Sequence, residues 1–252
     1  MIFGLLGEKL AHSYSPMIHA ELGDYEYKLF EKKPDELDSF FRQGKFDGLN
    51  VTIPYKKAVL KYCSSLSKAA KTIGSVNTII KQDDGTLHGD NTDYYGFSYL
   101  LKQTKVDVTK GKILILGSGG SSLTVQSVLK DKEAGQITVV SRNGADNYDN
   151  IINHKDTILI INTTPVGMYP KIDETVLTDT SGIHNGQVYS DIVYNPQETL
   201  FLRNAAARGA ITHQGWGMLL YQGVLAFCLL TNTPQDKVPI DIMRDTVLSG
   251  LA

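Results

Sequence analysis

The chain of 252 residues contains only two cysteines, and this scarcity excludes a disulfide-stapled fold. Cys63 and Cys228 lie far apart without metal-ligand spacing, so we expect both to be reduced. Long apolar runs are also absent, because the most apolar stretch, residues 218–230, is short and interrupted by Gln222. The first residues lack the pattern of a signal peptide. We therefore expect a cytoplasmic protein with no membrane partner.

The sequence also lacks an excess of charge of either sign. Its 25 Lys and Arg residues face 27 Asp and Glu residues, which gives a net charge of −2. Nucleic-acid binders usually carry a strong basic excess, so we expect no nucleic-acid partner. None of the six histidines forms an i, i+4 pair with a carboxylate partner, so we expect no metal. The oligomeric state is left open between monomer and homodimer.

Strand-like and helix-like runs alternate along the chain, which favours an α/β fold with parallel sheets. The predicted strands are Ile2–Leu6, Tyr25–Phe30, Gly48–Thr52, Val76–Ile80, Lys112–Leu116, Ile137–Val140, Thr157–Ile161 and Gln187–Val193. Helices are predicted to begin at Ser15 and near Pro34, Tyr55 and Asp93, and one more lies between the first two strands of the second half. The polar stretch Thr104–Gly111 is the predicted domain boundary.

A glycine-rich loop, Gly117-Ser118-Gly119-Gly120-Ser121, follows a predicted strand and opens a predicted helix. Gly117 permits a tight turn, and Gly119 lets the backbone approach a pyrophosphate. The helix N-terminus then offers unpaired N–H groups to the phosphates. A plain strand–loop–helix turn is the alternative, but this context favours a nucleotide.

The next predicted strand ends at Ser141-Arg142, where a site for NAD usually carries an acidic residue. The guanidinium of Arg142 suits a 2′-phosphate instead, which favours NADP(H). A solvated surface arginine is the alternative, and Asp146 and Asp149 nearby would repel a phosphate.

Three polar clusters in the first half suit a polyol, because each substrate hydroxyl needs a donor and an acceptor. They are His12-Ser13-Tyr14-Ser15-Pro16, Asn50-Val51-Thr52-Ile53-Pro54-Tyr55-Lys56 and Gly89-Asp90-Asn91-Thr92-Asp93. Taken singly, each residue has a structural alternative, such as helix capping or a solvated charge. Taken together, they suggest a site in which Lys56 and Asp93 form a proton-transfer pair.

These segments, in this order, resemble the shikimate dehydrogenase family over nearly the whole chain. Further matching segments are Val76-Asn77-Thr78, Asn162-Thr163-Thr164-Pro165-Val166-Gly167-Met168, Asp191-Ile192-Val193-Tyr194-Asn195-Pro196 and Gly215-Trp216-Gly217-Met218-Leu219-Leu220-Tyr221-Gln222. The resemblance implies reversible NADPH-dependent reduction of 3-dehydroshikimate to shikimate. It also implies two α/β domains with a deep cleft between them: a substrate domain of residues 1–104 plus 217–252, and a Rossmann-type NADP domain of residues 105–216.

The resemblance also implies roles for individual residues. Lys56 is the expected acid/base residue and Asp93 its partner. The implied substrate-binding residues are Ser13, Ser15, Thr52, Lys56, Asn77, Asp93, Tyr194 and Gln222. The implied cofactor-binding residues are Gly117, Ser118, Gly119, Gly120, Ser121, Ser141, Arg142, Ile192, Gly215 and Met218.

The chain departs from this family after Arg142, where a second basic residue is common. Here the chain reads Asn143-Gly144-Ala145-Asp146-Asn147, and the turn-like segment Gly144–Asp149 predicts a reduced or absent helix. Two alternatives stay open from sequence: a dehydrogenase that also accepts quinate or uses NAD, and a non-catalytic metabolite-binding module on the same fold.

Overall fold

The computed structural model describes residues 1–10, 15–23 and 25–250, and the chain divides into two compact units. The first unit comprises Met1–Tyr95 and Leu220–Gly250, and the second comprises Gly96–Leu219. The division therefore falls within the helices Asp93–Thr104 and Trp216–Thr231. The boundaries predicted from the sequence, after residue 104 and before residue 217, lie at the end of the first helix and near the start of the second.

The first unit is built from six strands and several short helices. Its strands are β1 (Ile2–Gly7), β2 (Glu26–Glu31), β3 (Gly48–Val51), β4 (Ser65–Leu66), β5 (Thr78–Lys81) and β6 (Leu87–Asp90). Its helices are α1 (Ser15–Ala20), α2 (Leu37–Gln43) and α3 (Lys68–Ile73), followed by α4 (Asp93–Thr104), which continues into the second unit. The helix predicted near Tyr55 is instead a turn followed by a 3-10 helix at Ala58–Tyr62, and β4 and β6 were not predicted.

The sheet of the first unit contains parallel pairs, as expected, and also one antiparallel strand. Its strand order is β2-β1-β3-β5-β6-β4, and β5 runs antiparallel to both of its neighbours. The cause is local: β5 and β6 are joined by a tight hairpin in which the Gln82 amide donates to the Thr86 carbonyl at 2.8 Å. A hairpin this short can only connect antiparallel strands. One face of the sheet packs on a core that includes Leu6, Leu49, Val51, Val59, Ala70 and Ile79.

The second unit carries a five-stranded sheet that is parallel throughout. Its strands are β7 (Lys112–Leu116), β8 (Gln136–Val140), β9 (Thr157–Asn162), β10 (Val188–Asp191) and β11 (Ile211–His213). Its helices are α5 (Gly120–Asp131), α6 (Leu200–Ala206) and α7 (Trp216–Thr231), which continues into the first unit, where α8 (Ile240–Gly250) follows. The predicted strands of this half are confirmed, apart from shifts of a few residues at their ends and the unpredicted β11.

The strand order β11-β10-β9-β7-β8 reverses direction between β7 and β9. In a doubly wound sheet, ligands bind beyond the carboxyl ends of the strands at this switch point. The continuous apolar run of β7 is buried almost completely because both faces of a parallel sheet are covered. The expected α/β class with a Rossmann-type unit is therefore confirmed.

No α-helix follows β8, as the segment Gly144–Asp149 predicted. All residues between β8 and β9 are described, and they form turns and the 3-10 helix Ile151–His154. Asn147 closes the turns, since its side-chain oxygen accepts the amides of Asp149 and Asn150 at 3.0 and 3.3 Å. Asparagine side chains compete with helical hydrogen bonds in this way.

Within the described part of the chain, no helix combines the length and apolar character that crossing a membrane requires.

Candidate active site

Lys56 and Asp93 form an ion pair in the first unit. Lys56 leaves the turn after β3, which the Tyr55 amide closes by donating to the Thr52 carbonyl at 2.9 Å, and Asp93 is the first residue of α4. The Lys56 Nζ lies 2.6 Å from Asp93 Oδ2, and their side chains are 33 % and 20 % exposed. Both groups thus remain accessible while each holds the other in place. The acid/base roles themselves stay a prediction.

Asn77 and Gln222 are connected through Thr92, the residue before Asp93. The buried Asn77 side chain donates from Nδ2 to Thr92 Oγ1 at 3.0 Å and accepts the Thr92 amide at 2.7 Å. The Thr92 hydroxyl lies 3.4 Å from Gln222 Oε1. Residue 92 immediately precedes Asp93, so the network fixes the start of α4. In the sequence Thr92 is recognisable only as part of a polar cluster, and its connecting role could not be predicted from that pattern.

Main-chain hydrogen bonds hold the Lys56 turn against the segment that contains Asn77. The Val76 amide donates to the Lys56 carbonyl and the Val51 amide to the Asn77 carbonyl, each at 2.7 Å. The buried Asp90 carboxylate accepts the Asn91 amide at 2.6 Å, which orders the turn before Asp93. The three segments that carry Lys56, Asn77 and Asp93 are therefore rigidly connected.

Ser15 lies at the start of α1 and hydrogen-bonds the phenol of Tyr27. Tyr27 also donates to Asn50 Oδ1 at 2.8 Å, and burial raises its pKa. His19 stacks on the Tyr27 ring with 3.8 Å between centroids. Sequence reasoning missed Tyr27 because one tyrosine in a strand carries no motif.

The other predicted substrate-binding residues have different positions. Ser13 falls outside the described residues. Thr52 is half-buried at the end of β3, where its methyl group contacts Gly7. Tyr194 is half-buried in the second unit, after β10. The substrate-binding roles stay predictions.

The glycine loop of the second unit forms an open cradle at the start of α5. Gly117 has φ +107°, and a Cβ there would lie 2.9 Å or less from Thr163 and Thr164, so only glycine fits. A Cβ at Gly119 or Gly120 would meet no atom within 4 Å. Gly119 is the N-cap of α5 and offers no side-chain acceptor to the first N–H groups of the helix. Ser118 and Ser121 are exposed beside it.

Ser141 and Arg142 follow β8 directly beside this loop, since the Gly117 amide donates to the Val140 carbonyl at 2.8 Å. Arg142 is exposed. Burial raises the pKa of Tyr148, and the nearby positive charge of Arg142 opposes this rise. Asp146 lies in the same turn but pairs with His154 Nε2 at 2.8 Å. An arginine and a serine thus lie next to the cradle.

Ile192 and Gly215 meet at the same edge of the sheet. A Cβ at Gly215 would lie 2.5 Å from the Ile192 carbonyl oxygen, so the two main chains are in contact. Met218 belongs to the first turn of α7, and its amide donates to the Gly215 carbonyl at 3.0 Å. The cofactor-binding roles of these residues are predictions.

A Rossmann-type unit with an open glycine cradle, together with a unit that holds a lysine–aspartate pair, defines a dinucleotide-dependent oxidoreductase. The chain is 36 % identical to the shikimate dehydrogenase (NADP(+)) of Methanopyrus kandleri, over 99 % of this chain and 96 % of that protein. The chain belongs to the shikimate dehydrogenase family.

Further comparisons agree with this assignment. Residues 5–79 match the family described as shikimate dehydrogenase substrate binding domain. A chorismate mutase/shikimate 5-dehydrogenase fusion protein from Clostridium acetobutylicum has a similar crystal structure, with a TM-score of 0.89, 35 % identity and coverage of 99 % of this chain and 98 % of that one. The shikimate 5-dehydrogenase of Thermus thermophilus, crystallised with NADP(H) and shikimate, has a TM-score of 0.86 and 29 % identity over the full length of both chains.

Proposed function

We propose that the protein catalyses the reversible reduction of 3-dehydroshikimate to shikimate with NADPH, a step of the shikimate pathway of aromatic amino-acid biosynthesis. The observation that carries this proposal is the Lys56–Asp93 pair at 2.6 Å, in a chain of this family. Reduction of a carbonyl places negative charge on its oxygen, which needs a proton or a positive field. When bound, NADPH supplies the hydride.

Lys56 is proposed to donate its proton to the C3 oxygen of the substrate, and to take that proton back when shikimate is oxidised. Asp93 orients the ammonium group through its 2.6 Å contact with Lys56 Nζ. The half-exposed position of both side chains supports these roles, because a substrate hydroxyl can reach either one. The rigid connection of their segments supports a preorganised site.

The remaining polar side chains are proposed to bind the substrate. We assign its carboxylate to Ser13 and Ser15. We assign its hydroxyls to Thr52, Asn77, Asp93 and Gln222, with Tyr194 close by. The hydrogen bond from Thr92 to Gln222 supports this assignment, because it fixes an amide that offers both a donor and an acceptor.

The second unit is proposed to bind NADP(H). The cradle fits a pyrophosphate, because a Cβ would have free space at Gly119 and Gly120 and the helix N–H groups have no side-chain cap. Ser141 and Arg142 would hold the 2′-phosphate, and Ile192, Gly215 and Met218 would line the nicotinamide end. Residues 105–216 thus form the proposed cofactor domain, and residues 1–104 with 217–252 the substrate domain.

The wider assignments follow from the proposed reaction. We propose a cytoplasmic enzyme whose partners are its substrate and cofactor, present as a monomer or homodimer. We propose neither a nucleic-acid nor a membrane partner for this enzyme.

The test is an absorbance assay of the formation of NADPH or NADH with the purified protein. Shikimate and quinate are each offered with NADP+ and with NAD+. We expect the highest kcat/KM for shikimate with NADP+. Turnover confined to quinate with NAD+ would contradict both the substrate and the cofactor, and absence of turnover with all four pairs would contradict the enzyme itself.

A further inference from the structure

Asp191 is a fully buried carboxylate at the carboxyl end of β10. Its Oδ1 accepts Asn162 Nδ2 at 3.0 Å and the Val193 amide at 2.9 Å, and its Oδ2 accepts the Thr199 hydroxyl at 2.7 Å. Among the described residues no cation forms an ion pair with it. A buried charge without a cation is costly, and three donors offset only part of that cost.

One arm of this network leads from Asp191 to the glycine cradle. Asn162, also fully buried, accepts the amide of Thr164 at 3.0 Å and its hydroxyl at 2.8 Å through Oδ1. Thr164 in turn packs against Gly117, where a Cβ would lie 2.8 Å from its methyl group. The position of the loop that begins the cradle is thus connected to Asp191 by three hydrogen bonds and one packing contact.

The other arm leads to the opposite part of the same sheet edge. The Val193 amide that Asp191 accepts fixes the main chain of residues 192 and 193. The Ile192 carbonyl is in direct contact with Gly215, which begins the turn into α7. Gly117 and Gly215, which both belong to the proposed cofactor site, therefore contact segments that are hydrogen-bonded, directly or through Asn162, to the Asp191 carboxylate.

We propose that Asp191 is a positioning residue of the dinucleotide site, which sets the spacing between the Gly117 loop and the Ile192–Gly215 contact. This inference rests on the proposed function only in that the second unit binds NADP(H). A role confined to the start of α6 does not account for the geometry, because Thr199 is itself the N-cap and accepts the Leu202 amide. The bonds to Asn162 and Val193 instead involve the last residue of β9 and the main chain that follows β10.

The test compares Asp191→Ala with the conservative Asp191→Asn. The alanine variant leaves the Val193 amide and Asn162 Nδ2 without an acceptor, so we expect the Kd for NADP+ to rise roughly tenfold or more. In the asparagine variant the amide oxygen can accept both donors, and its Nδ2 can donate to the Thr199 hydroxyl. We expect its Kd to stay within about threefold of wild type.

Titration calorimetry without substrate measures these Kd values, and hydrogen exchange of the Val193 amide should quicken in Asp191→Ala alone. The KM for shikimate at saturating NADP+ should change less than twofold in both variants. Asp156→Asn removes an exposed charge of the same unit and should leave the Kd unchanged. Wild-type affinity in Asp191→Ala would overturn the proposal.

If Asp191→Ala does not fold, Thr164→Val tests the first arm, because it keeps the volume and removes the hydroxyl bond to Asn162. An unchanged Kd for NADP+ in this variant would then overturn the proposal, and a severalfold rise would support it. A wild-type protein that binds NADP+ but does not oxidise shikimate would contradict only the proposed reaction. Failure of the wild type to bind NADP+ would overturn the proposed cofactor and this inference together.

Discussion

Lys56 Nζ lies 2.6 Å from Asp93 Oδ2, although the two residues are 37 positions apart in the chain. The hydrogen bonds that join the Lys56 turn, Asn77 and Thr92 to one another hold this distance. The pair is neither deeply buried nor fully solvated, since the Lys56 and Asp93 side chains are 33 % and 20 % exposed.

Replacement of Lys56 should abolish most of the chemistry and little of the binding. We expect Lys56→Met to lower kcat by roughly 10²–10⁴-fold, because the proton donor is lost. The Kd for NADP+ should stay within about twofold. Steady-state kinetics and calorimetry check this, with Lys57→Met, the same change at an exposed neighbour, as the control. Near-normal turnover in Lys56→Met would exclude the assigned role.

Substitution by alanine at two positions of the glycine cradle should affect different properties: NADP+ binding at one position and stability at the other. At Gly119 (φ −79°) the added methyl group has free space, so Gly119→Ala should keep the wild-type melting temperature and weaken NADP+ binding roughly tenfold or more. At Gly117 (φ +107°) the methyl group would clash with Thr163 and Thr164, so Gly117→Ala should lower the stability by roughly 1–3 kcal/mol. Thermal melts and calorimetry separate the two effects. Equal losses of stability in both variants would contradict the open space assigned to Gly119.

Loss of Arg142 should affect NADP+ more than NAD+. Only NADP+ carries the 2′-phosphate that a guanidinium can bind, so Arg142→Ala should lower the ratio of the two kcat/KM values by roughly tenfold or more. Arg203→Ala, which removes an exposed arginine from α6, should leave that ratio unchanged. An equal loss for both cofactors would show that Arg142 does not bind the phosphate.

The contribution of Asp191 to the free energy of unfolding should be more favourable in mild acid than at neutral pH. Burial raises the pKa of this carboxyl from 3.8 to about 6, so the folded protein binds its proton more tightly than the unfolded chain. The stabilising effect is complete below about pH 3.8 and is lost as the pH rises through about 6. The stability that Asp191→Asn gains over wild type should therefore shrink by about 2 kcal/mol between about pH 7.5 and 4.5.

Urea unfolding followed by fluorescence measures this difference, because Trp216 is the only tryptophan and begins α7 in the second unit. A difference in stability that does not change with pH would contradict the charge that Asp191 is assigned.

His19, in the first unit, should have the opposite effect from Asp191, because its contribution to stability should decrease in acid. Burial lowers the pKa of this imidazole from 6.5 to about 4. Its contribution to stability is therefore present above about pH 6.5 and is lost as the pH falls through about 4. The protection factors of α1 and β2 in hydrogen exchange, corrected for the intrinsic pH dependence of amide exchange, should fall on acidification in wild type. They should change much less in His19→Phe, which keeps an aromatic ring stacked on Tyr27. Equal acid sensitivity in both proteins would contradict this prediction.

Several elements of the fold could be predicted from local sequence because local physics determines them. The apolar run Lys112–Leu116 predicted a strand buried on both faces, and this prediction is confirmed. The turn-like segment after Arg142 predicted a reduced or absent helix, and the structure shows turns in which the Asn147 side chain bonds the main chain. The antiparallel β5–β6 hairpin was not predicted, since Gln82–Thr86 was not recognised as a turn and β6 carries no strong strand pattern.

The sequence by itself determined which chemical groups this protein carries: one glycine-rich loop before a helix, an arginine after the next strand, and the Lys56 and Asp93 side chains in a matching family pattern. Only the tertiary structure decided that Thr92 connects Asn77 to Gln222, and that Asp191 holds segments in contact with both Gly117 and Gly215. The reason is physical. A motif reflects local backbone preference, whereas the burial and partners of a polar side chain depend on strands that are distant in sequence and adjacent in the sheet.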